Sequence, residues 1–215
     1  MKRISTLCLV VLLLLANALH AQRKYRVISV PVNKNGRQMR DPWTGGMDSP
    51  QFSEGDLNHD GIPDLFVFDR VGGRVLTYLG NAGAVDTMFT YSPQYERLFP
   101  QDLQNWAVLR DYNHDGIPDI FTYANSSNGP GIRVFKGSMV DGLIHFDLVC
   151  PLIVYSDGVF SNYVFVNIAD FPAIVDVNHD GDIDVLAYDR FGSAIGYYEN
   201  QHAENTANPA YALDS

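Results

Sequence analysis

The sequence predicts an all-β chain assembled from small repeated antiparallel sheets, and three observations carry that prediction. An acidic string returns three times, as "DLNHDGIPDLFVFD" from Asp56, "DYNHDGIPDIFTYA" from Asp111 and "DVNHDGDIDVLAYD" from Asp176, with starts 55 and then 65 residues apart. Around each string lie apolar runs of four to seven residues, rich in Val, Ile, Phe and Tyr and separated by Gly, Asn and Pro, as short strands and tight turns require. After residue 21, no segment shows the three-and-four spacing of an amphipathic helix.

Taken in order, residues 1–21 ("MKRISTLCLVVLLLLANALHA") set Lys2 and Arg3 before an apolar run of about ten residues and end on Ala21. That is the pattern of a secretory signal peptide. The run is too short for a membrane span of about 20 residues, so the mature chain is expected to be exported and to carry no transmembrane segment. Cys8 precedes most of the apolar run and is badly placed for lipid attachment after cleavage. Residues 22–49 form a lead-in with strand character, and 50–215 the repeat region, with units around 50–100, 101–150 and 165–215.

Within each unit the order is a short apolar run, the acidic loop, a second run, a glycine-bearing turn and a third run. The second runs, "LFVF", "IFTY" and "VLAY", are apolar at consecutive positions, whereas a strand with one wet face alternates. Both faces are therefore expected to be buried. Small sheets packed side by side, as in a β-propeller of about four-stranded blades, satisfy that demand. Fourth strands are expected from "FTYSP" near Phe89 and "HFDLVCP" near Phe146, and an additional strand around "LIVYSDG" before the third copy. Three blades do not close a ring where propellers use about four to eight. The expectation is thus a fragment of a longer protein or an open arc, with "NPAYALDS" standing where another blade would begin.

Without the signal peptide, 194 residues remain, with 13 basic against 25 acidic side chains, a net charge of −12. Such a chain repels phosphate backbones, which argues against nucleic-acid binding and favours cationic partners, metals first. Only Cys150 survives maturation, so no internal disulfide is expected and a structural metal is another source of rigidity.

The acidic loop has the spacing of a calcium cage. Calcium takes six to eight oxygen ligands, and alternate residues of a coiled loop point inward together. Positions 1, 3, 5 and 9 supply Asp56, Asn58, Asp60 and Asp64, with the backbone carbonyl of Ile62 at position 7 and Gly61 at the sharp turn. The second loop uses Asp111, Asn113, Asp115 and Asp119 with the Ile117 carbonyl, and the third Asp176, Asn178, Asp180 and Asp184 with the Asp182 carbonyl. Up to three Ca2+ ions are expected. An EF-hand would need a bidentate Glu at position 12 between helices, but Val67, Thr122 and Ala187 stand there and strands follow. A metal-free Asx-rich turn is the remaining alternative. Three copies that repeat every ligand position while the flanking strands vary weigh against it.

D-x-N-x-D-G-x-x-D followed by an apolar strand resembles the FG-GAP and VCBS repeats, the calcium-loop blades of integrin α chains and of many exported bacterial proteins. The resemblance runs from about Pro50 to Asn200, and "PQFSEGDLNHDGIPDLFVFDR" is similar to exported repeat proteins of the Bacteroidetes type. It departs from them in having Asn where Asp is commoner at position 3, and in showing no C-terminal sorting domain within its 215 residues. The resemblance implies a secreted or surface-displayed platform that binds an extracellular protein or polysaccharide. The alternative it leaves is the propeller domain of a polysaccharide-degrading enzyme.

Other signals are weaker. His59, His114 and His179 at position 4 are expected to face solvent rather than a metal. Trp106, Tyr91, Tyr95, Phe99, Tyr155 and Tyr163 suit packing between blades better than a sugar-stacking surface, and Cys150 beside Pro151 reads as a buried thiol. "NSS" at Asn125 reads as a turn. No nucleophile elbow, P-loop, zincin or dinucleotide motif is present, and the repeat assigns most acidic pairs to calcium, so no catalytic residue is expected.

Overall fold

The computed structural model describes residues 30–83, 88–156 and 159–201, together with the backbone of 211–214. The signal peptide expected over 1–21, with Cys8, lies outside the described residues. The chain divides into two compact units, one ending at Trp43 and the other beginning at Thr44. The described part of the first is a hairpin of β1 (Asn33–Lys34) and β2 (Arg37–Gln38). Its turn places Asn35 (φ 54) and Gly36 (φ 76) in the left-handed region, the pairing that a two-residue hairpin demands.

The described residues of the second unit are all-β but for one turn of 3-10 helix at Glu96–Leu98. Its first sheet joins β3 (Pro50–Gly55), β4 (Asp64–Asp69), β5 (Arg74–Gly80) and β6 (Phe89–Tyr91) in sequence order, each antiparallel to the next. The second joins β7 (Ala107–Arg110), β8 (Asp119–Ser126), β9 (Gly129–Val140) and β10 (Leu143–Cys150) in the same way. Strands β6 and β10 take the fourth places. The third sheet is wider: β11 (Val154–Ser156), β12 (Ser161–Tyr163), β13 (Ala173–Val175), β14 (Asp184–Tyr188), β15 (Ile195–Asn200) and β16 (Tyr211–Asp214) lie in the order β12-β11-β16-β15-β14-β13. Residues from "LIVYSDG" form β11, which pairs antiparallel with β12 and parallel with β16. The turn read at "NSS" is shorter than expected. Asn125 and Ser126 complete β8, paired with Pro130 and Gly129, because cross-strand pairing overrides the local turn preference of Asn and Ser. Among the described residues no helix is long and apolar enough to cross a membrane.

In β8 consecutive apolar residues are buried because successive side chains enter different cores, whereas β14 departs from the expectation, with Leu186 half-buried and Tyr188 exposed. Ile120 joins Phe66, Phe68, Phe99, Phe135, Ile144 and Phe146 between the first and second sheets. Its neighbour Phe121 joins Trp106, Val134, Ile174, Val185 and Tyr198 between the second and third. The second sheet is thus sandwiched on both faces. Phe99 stacks between Phe66 (centroids 4.8 Å) and Phe146 (4.9 Å), so it and Trp106 serve packing. Cys150 is a buried free thiol, its pKa pushed up by burial to about 11.

Polar contacts set the register between sheets. Gln51 Oε1 and Ser53 Oγ on β3 accept the backbone N–H groups of Ala107 and Leu109 on β7, each at 3.1 Å. Arg110, at the end of β7, donates to the Ile174 carbonyl on β13 at 2.7 Å. The opening strands of successive acidic-loop repeats are therefore neighbours. A large apolar side chain contributes about 1.5–3 kcal/mol on burial against about 0.5–1.5 for a hydrogen bond, so packing supplies most of the adhesion and these bonds supply alignment.

Candidate cation-binding loops

Each acidic loop links β3 to β4, β7 to β8 or β13 to β14, and the three share one backbone path. Position 4 is left-handed at His59 (φ 57), His114 (φ 57) and His179 (φ 65), and position 6 at Gly61 (φ 81), Gly116 (φ 81) and Gly181 (φ 103). A Cβ added to any of these glycines would meet nothing within 4 Å, so the backbone angle requires glycine there and crowding does not. Histidine is among the side chains that tolerate the left-handed region, and all three are exposed, as expected of position 4.

The hydrogen bonds repeat almost bond for bond. In the first loop Asp56 accepts the N–H groups of Asp60 (3.1 Å) and Gly61 (2.7 Å), and Asp60 accepts that of Ile62 (2.8 Å). Asn58 accepts the Asp60 N–H at 3.2 Å and donates from its amide to Asp60 Oδ2 at 2.8 Å. Asp111, Asn113 and Asp115 repeat the pattern with Gly116 and Ile117, as do Asp176, Asn178 and Asp180 with Gly181 and Asp182. The exception is Asp176 Oδ1, which takes the His179 N–H at 2.7 Å instead of that of Asp180. Positions 1, 3 and 5 are thus brought together in every copy as one hydrogen-bonded knot.

Position 9 does something the sequence reading missed. Asp64, Asp119 and Asp184 are completely buried. One oxygen of each accepts an N–H at the start of its own loop: Leu57 at 2.8 Å, Tyr112 at 3.0 Å and Val177 at 3.0 Å. The other accepts an N–H from the third strand: Gly80 at 2.8 Å, Gly137 at 2.7 Å and Asn200 at 2.9 Å. This carboxylate, the first residue of the second strand, ties the loop to the third strand beside it in the sheet. A built Cβ on Gly80 or Gly137 would stand 2.3 Å from the Pro63 or Pro118 carbonyl oxygen, so glycine lets the loop lie against that strand. The recurrence of "LG" and "KG" after Asp64 and Asp119 was the available signal. In the third copy Asn200 takes this place, 2% exposed, with both polar atoms of its side-chain amide buried and without a hydrogen-bond partner among the described residues.

Electrostatics separates the two halves of the loop. Burial raises the pKa of Asp64, against the lowering effect of its two N–H donors and with help from Asp60 and Asp56. Asp119 is pushed up to about 7, by burial first, with Asp115 and Asp111 adding to it. Asp184 also accepts the Tyr197 hydroxyl at 3.1 Å, and burial together with that bond pushes Tyr197 to about 12. At position 7, Ile62 and Ile117 are half-buried, while the buried Asp182 has its carboxylate 3.8 Å from His114 of the preceding loop.

Among the described residues no group of three or more His, Cys, Asp or Glu side chains converges closely enough to hold a metal ion, because the loop carboxylates are turned onto backbone N–H groups. The donor set nevertheless suits calcium: three carboxylates and an amide per loop, all hard oxygen donors, with positions 1, 3 and 5 only half-buried or exposed. The second loop already holds a cationic group, the Lys136 ammonium 3.4 Å from Asp115 Oδ2. No curated protein matches the chain. Residues 56–122, which hold the first two loops and strands β4 to β7 between them, match the model of the FG-GAP-like repeat family.

Proposed function

We propose that the protein is an exported, calcium-stabilised repeat domain that acts as a rigid binding platform for an extracellular protein or polysaccharide, of the FG-GAP/VCBS kind found in Bacteroidetes-type bacteria. The observation that carries the proposal is the threefold recurrence of one hydrogen-bonded acidic knot at the same joint of successive sheets. Asp56, Asn58, Asp60 and Asp64 would hold the first ion with the Ile62 carbonyl. Asp111, Asn113, Asp115 and Asp119 would hold the second with the Ile117 carbonyl, and Asp176, Asn178, Asp180 and Asp184 the third with the Asp182 carbonyl. Bound calcium would neutralise carboxylates that otherwise repel one another and would pin each loop to its sheet. Its role is architectural, and recognition falls to the loops between strands.

The test is thermal unfolding of the chain in excess chelator and in millimolar calcium. One site at about 100 times its dissociation constant adds roughly 2.7 kcal/mol, so calcium should raise the melting temperature by several degrees or more and protect the loops from proteolysis. An unchanged melting curve refutes the calcium part. A protein and glycan array, probed in calcium, tests the platform part: reproducible capture of one ligand class supports it, and no capture on either panel counts against it.

A further inference from the structure

We propose that the three loops are unequal calcium sites, filling in the order third, first, second, because the third strand of each sheet brings a different residue to its loop. This rests on the calcium reading above. The glycines or asparagine that bind position 9 fix the alignment, since Gly80, Gly137 and Asn200 each donate an N–H to the buried aspartate of their own loop. The residue just before them is Leu79 in the first copy, Lys136 in the second and Glu199 in the third. All three are half-buried and sit at the same place beside the loop.

Leu79 adds no charge. Lys136 puts its ammonium 3.4 Å from Asp115 Oδ2, the position-5 oxygen that also accepts the Asn113 amide. The second loop therefore contains its own counter-ion, which an incoming cation must displace or oppose. Glu199 does the reverse: its Oε1 accepts the Asn178 amide at 2.9 Å, placing a further carboxylate against the position-3 ligand. Formal side-chain charge is −3 for the first loop (Asp56, Asp60, Asp64). It is −2 for the second (Asp111, Asp115 and Asp119 with Lys136) and −5 for the third (Asp176, Asp180, Asp182, Asp184 and Glu199), where the Asp182 carboxylate faces His114 of the second loop at 3.8 Å. The third sheet also holds the two side-chain amide atoms of Asn200, a buried polar pair beside Asp184 with no partner among the described residues, where the other copies have glycine. A unit charge about 6 Å from a bound ion, partly screened, changes affinity by roughly tenfold or more.

Calcium chloride titrated calorimetrically into the chain in low-salt buffer tests this directly. The expected result is binding in steps, with the weakest site separated from the tightest by about a hundredfold. Lys136→Met should tighten only the weakest step, by about tenfold, and Glu199→Gln should loosen only the tightest step by a similar factor. Circular dichroism checks that each variant is folded, and Lys136→Gln provides a second neutral replacement should the methionine variant fail to fold. Three indistinguishable sites, or a weakest step unmoved by both neutral replacements of Lys136, would overturn the ranking while leaving calcium binding intact. No uptake at millimolar calcium by the unaltered chain would overturn the ranking together with the calcium reading beneath it.

Discussion

Asp115 and Asp119 lie four residues apart in one loop and place the same side chain in opposite surroundings. Asp115 is about one-third exposed and holds the loop's own Ile117 N–H, its Asn113 amide and the Lys136 ammonium. Asp119 is fully buried and reaches out of the loop in two directions, to Tyr112 and to Gly137. The same contrast separates Asp60 from Asp64 and Asp180 from Asp184. The lesson is that one acidic motif does two jobs. Position 9 is a buried tie within the sheet, and positions 1 to 5 form an accessible knot closed on itself.

The largest expected effect breaks the buried half. Asp119→Ala leaves two buried N–H groups without acceptors, at about 1–3 kcal/mol each, so urea unfolding in chelator should show a loss of about 3–5 kcal/mol. Asp115→Ala, whose partners can turn to water, should lose less than about 1 kcal/mol under the same conditions. In saturating calcium the second variant should also forfeit whatever its site contributes. Equal losses for the two variants in chelator would erase the distinction.

The clustering of positions 1, 3 and 5 was legible in the sequence because these residues bond mainly within the loop, and local contacts follow local spacing. The burial of "IFTY" was legible for a similar reason: a strand between two cores needs an apolar side chain on each face. The second job of Asp64 and Asp119 was not, since their partners Gly80 and Gly137 stand 16 and 18 residues away, across an intervening turn. Nor was the parallel pairing of β11 with β16, where Tyr155 lies opposite Tyr211. Contacts between distant segments leave no periodic mark.

The second effect is one of pH. Burial raises the Asp119 carboxyl from an ordinary value near 3.8 to about 7, so the folded state holds its proton more tightly than the unfolded chain does. That group's stabilising contribution is fully present below about pH 4 and is lost as pH rises towards 7, by up to about 4 kcal/mol. In chelator, the unaltered chain should therefore be less stable at pH 8 than at pH 5. Asp64 shifts in the same direction and adds to the trend. Asp119→Asn should flatten the pH dependence, and calcium should flatten it too, because a bound cation favours the ionised carboxylate. Parallel pH profiles for the unaltered chain and Asp119→Asn in chelator would assign the trend elsewhere.

A third, smaller effect separates the two kinds of glycine. Gly137→Ala forces a Cβ to within 2.3 Å of the Pro118 carbonyl oxygen, and backbone must move to relieve it. A cost of about 2–3 kcal/mol is expected from denaturant unfolding. Gly116→Ala meets no atom within 4 Å and suffers only from its φ of 81°, which puts the expected cost near 1 kcal/mol. A Gly116→Ala cost at or above that of Gly137→Ala would show that turn geometry outweighs contact with the third strand.

The smallest effect concerns position 4, where histidine recurs in all three loops and invites a metal-ligand reading. His59 is exposed, at a φ of 57°. If its role is only to tolerate that angle, His59→Gly should change stability by no more than about 0.5 kcal/mol, and His59→Asn should be equally mild because Asn also accepts the left-handed region. Neither substitution should alter the calcium-dependent rise in melting temperature, since the imidazole is a borderline nitrogen donor and calcium selects oxygen. His114 is the informative control. It stands 3.8 Å from Asp182 of the next loop, so His114→Gly removes a contact that His59→Gly does not. A greater loss for His114→Gly than for His59→Gly would identify a stabilising contact between loops, whereas equal, small losses would leave position 4 as a matter of backbone angle alone.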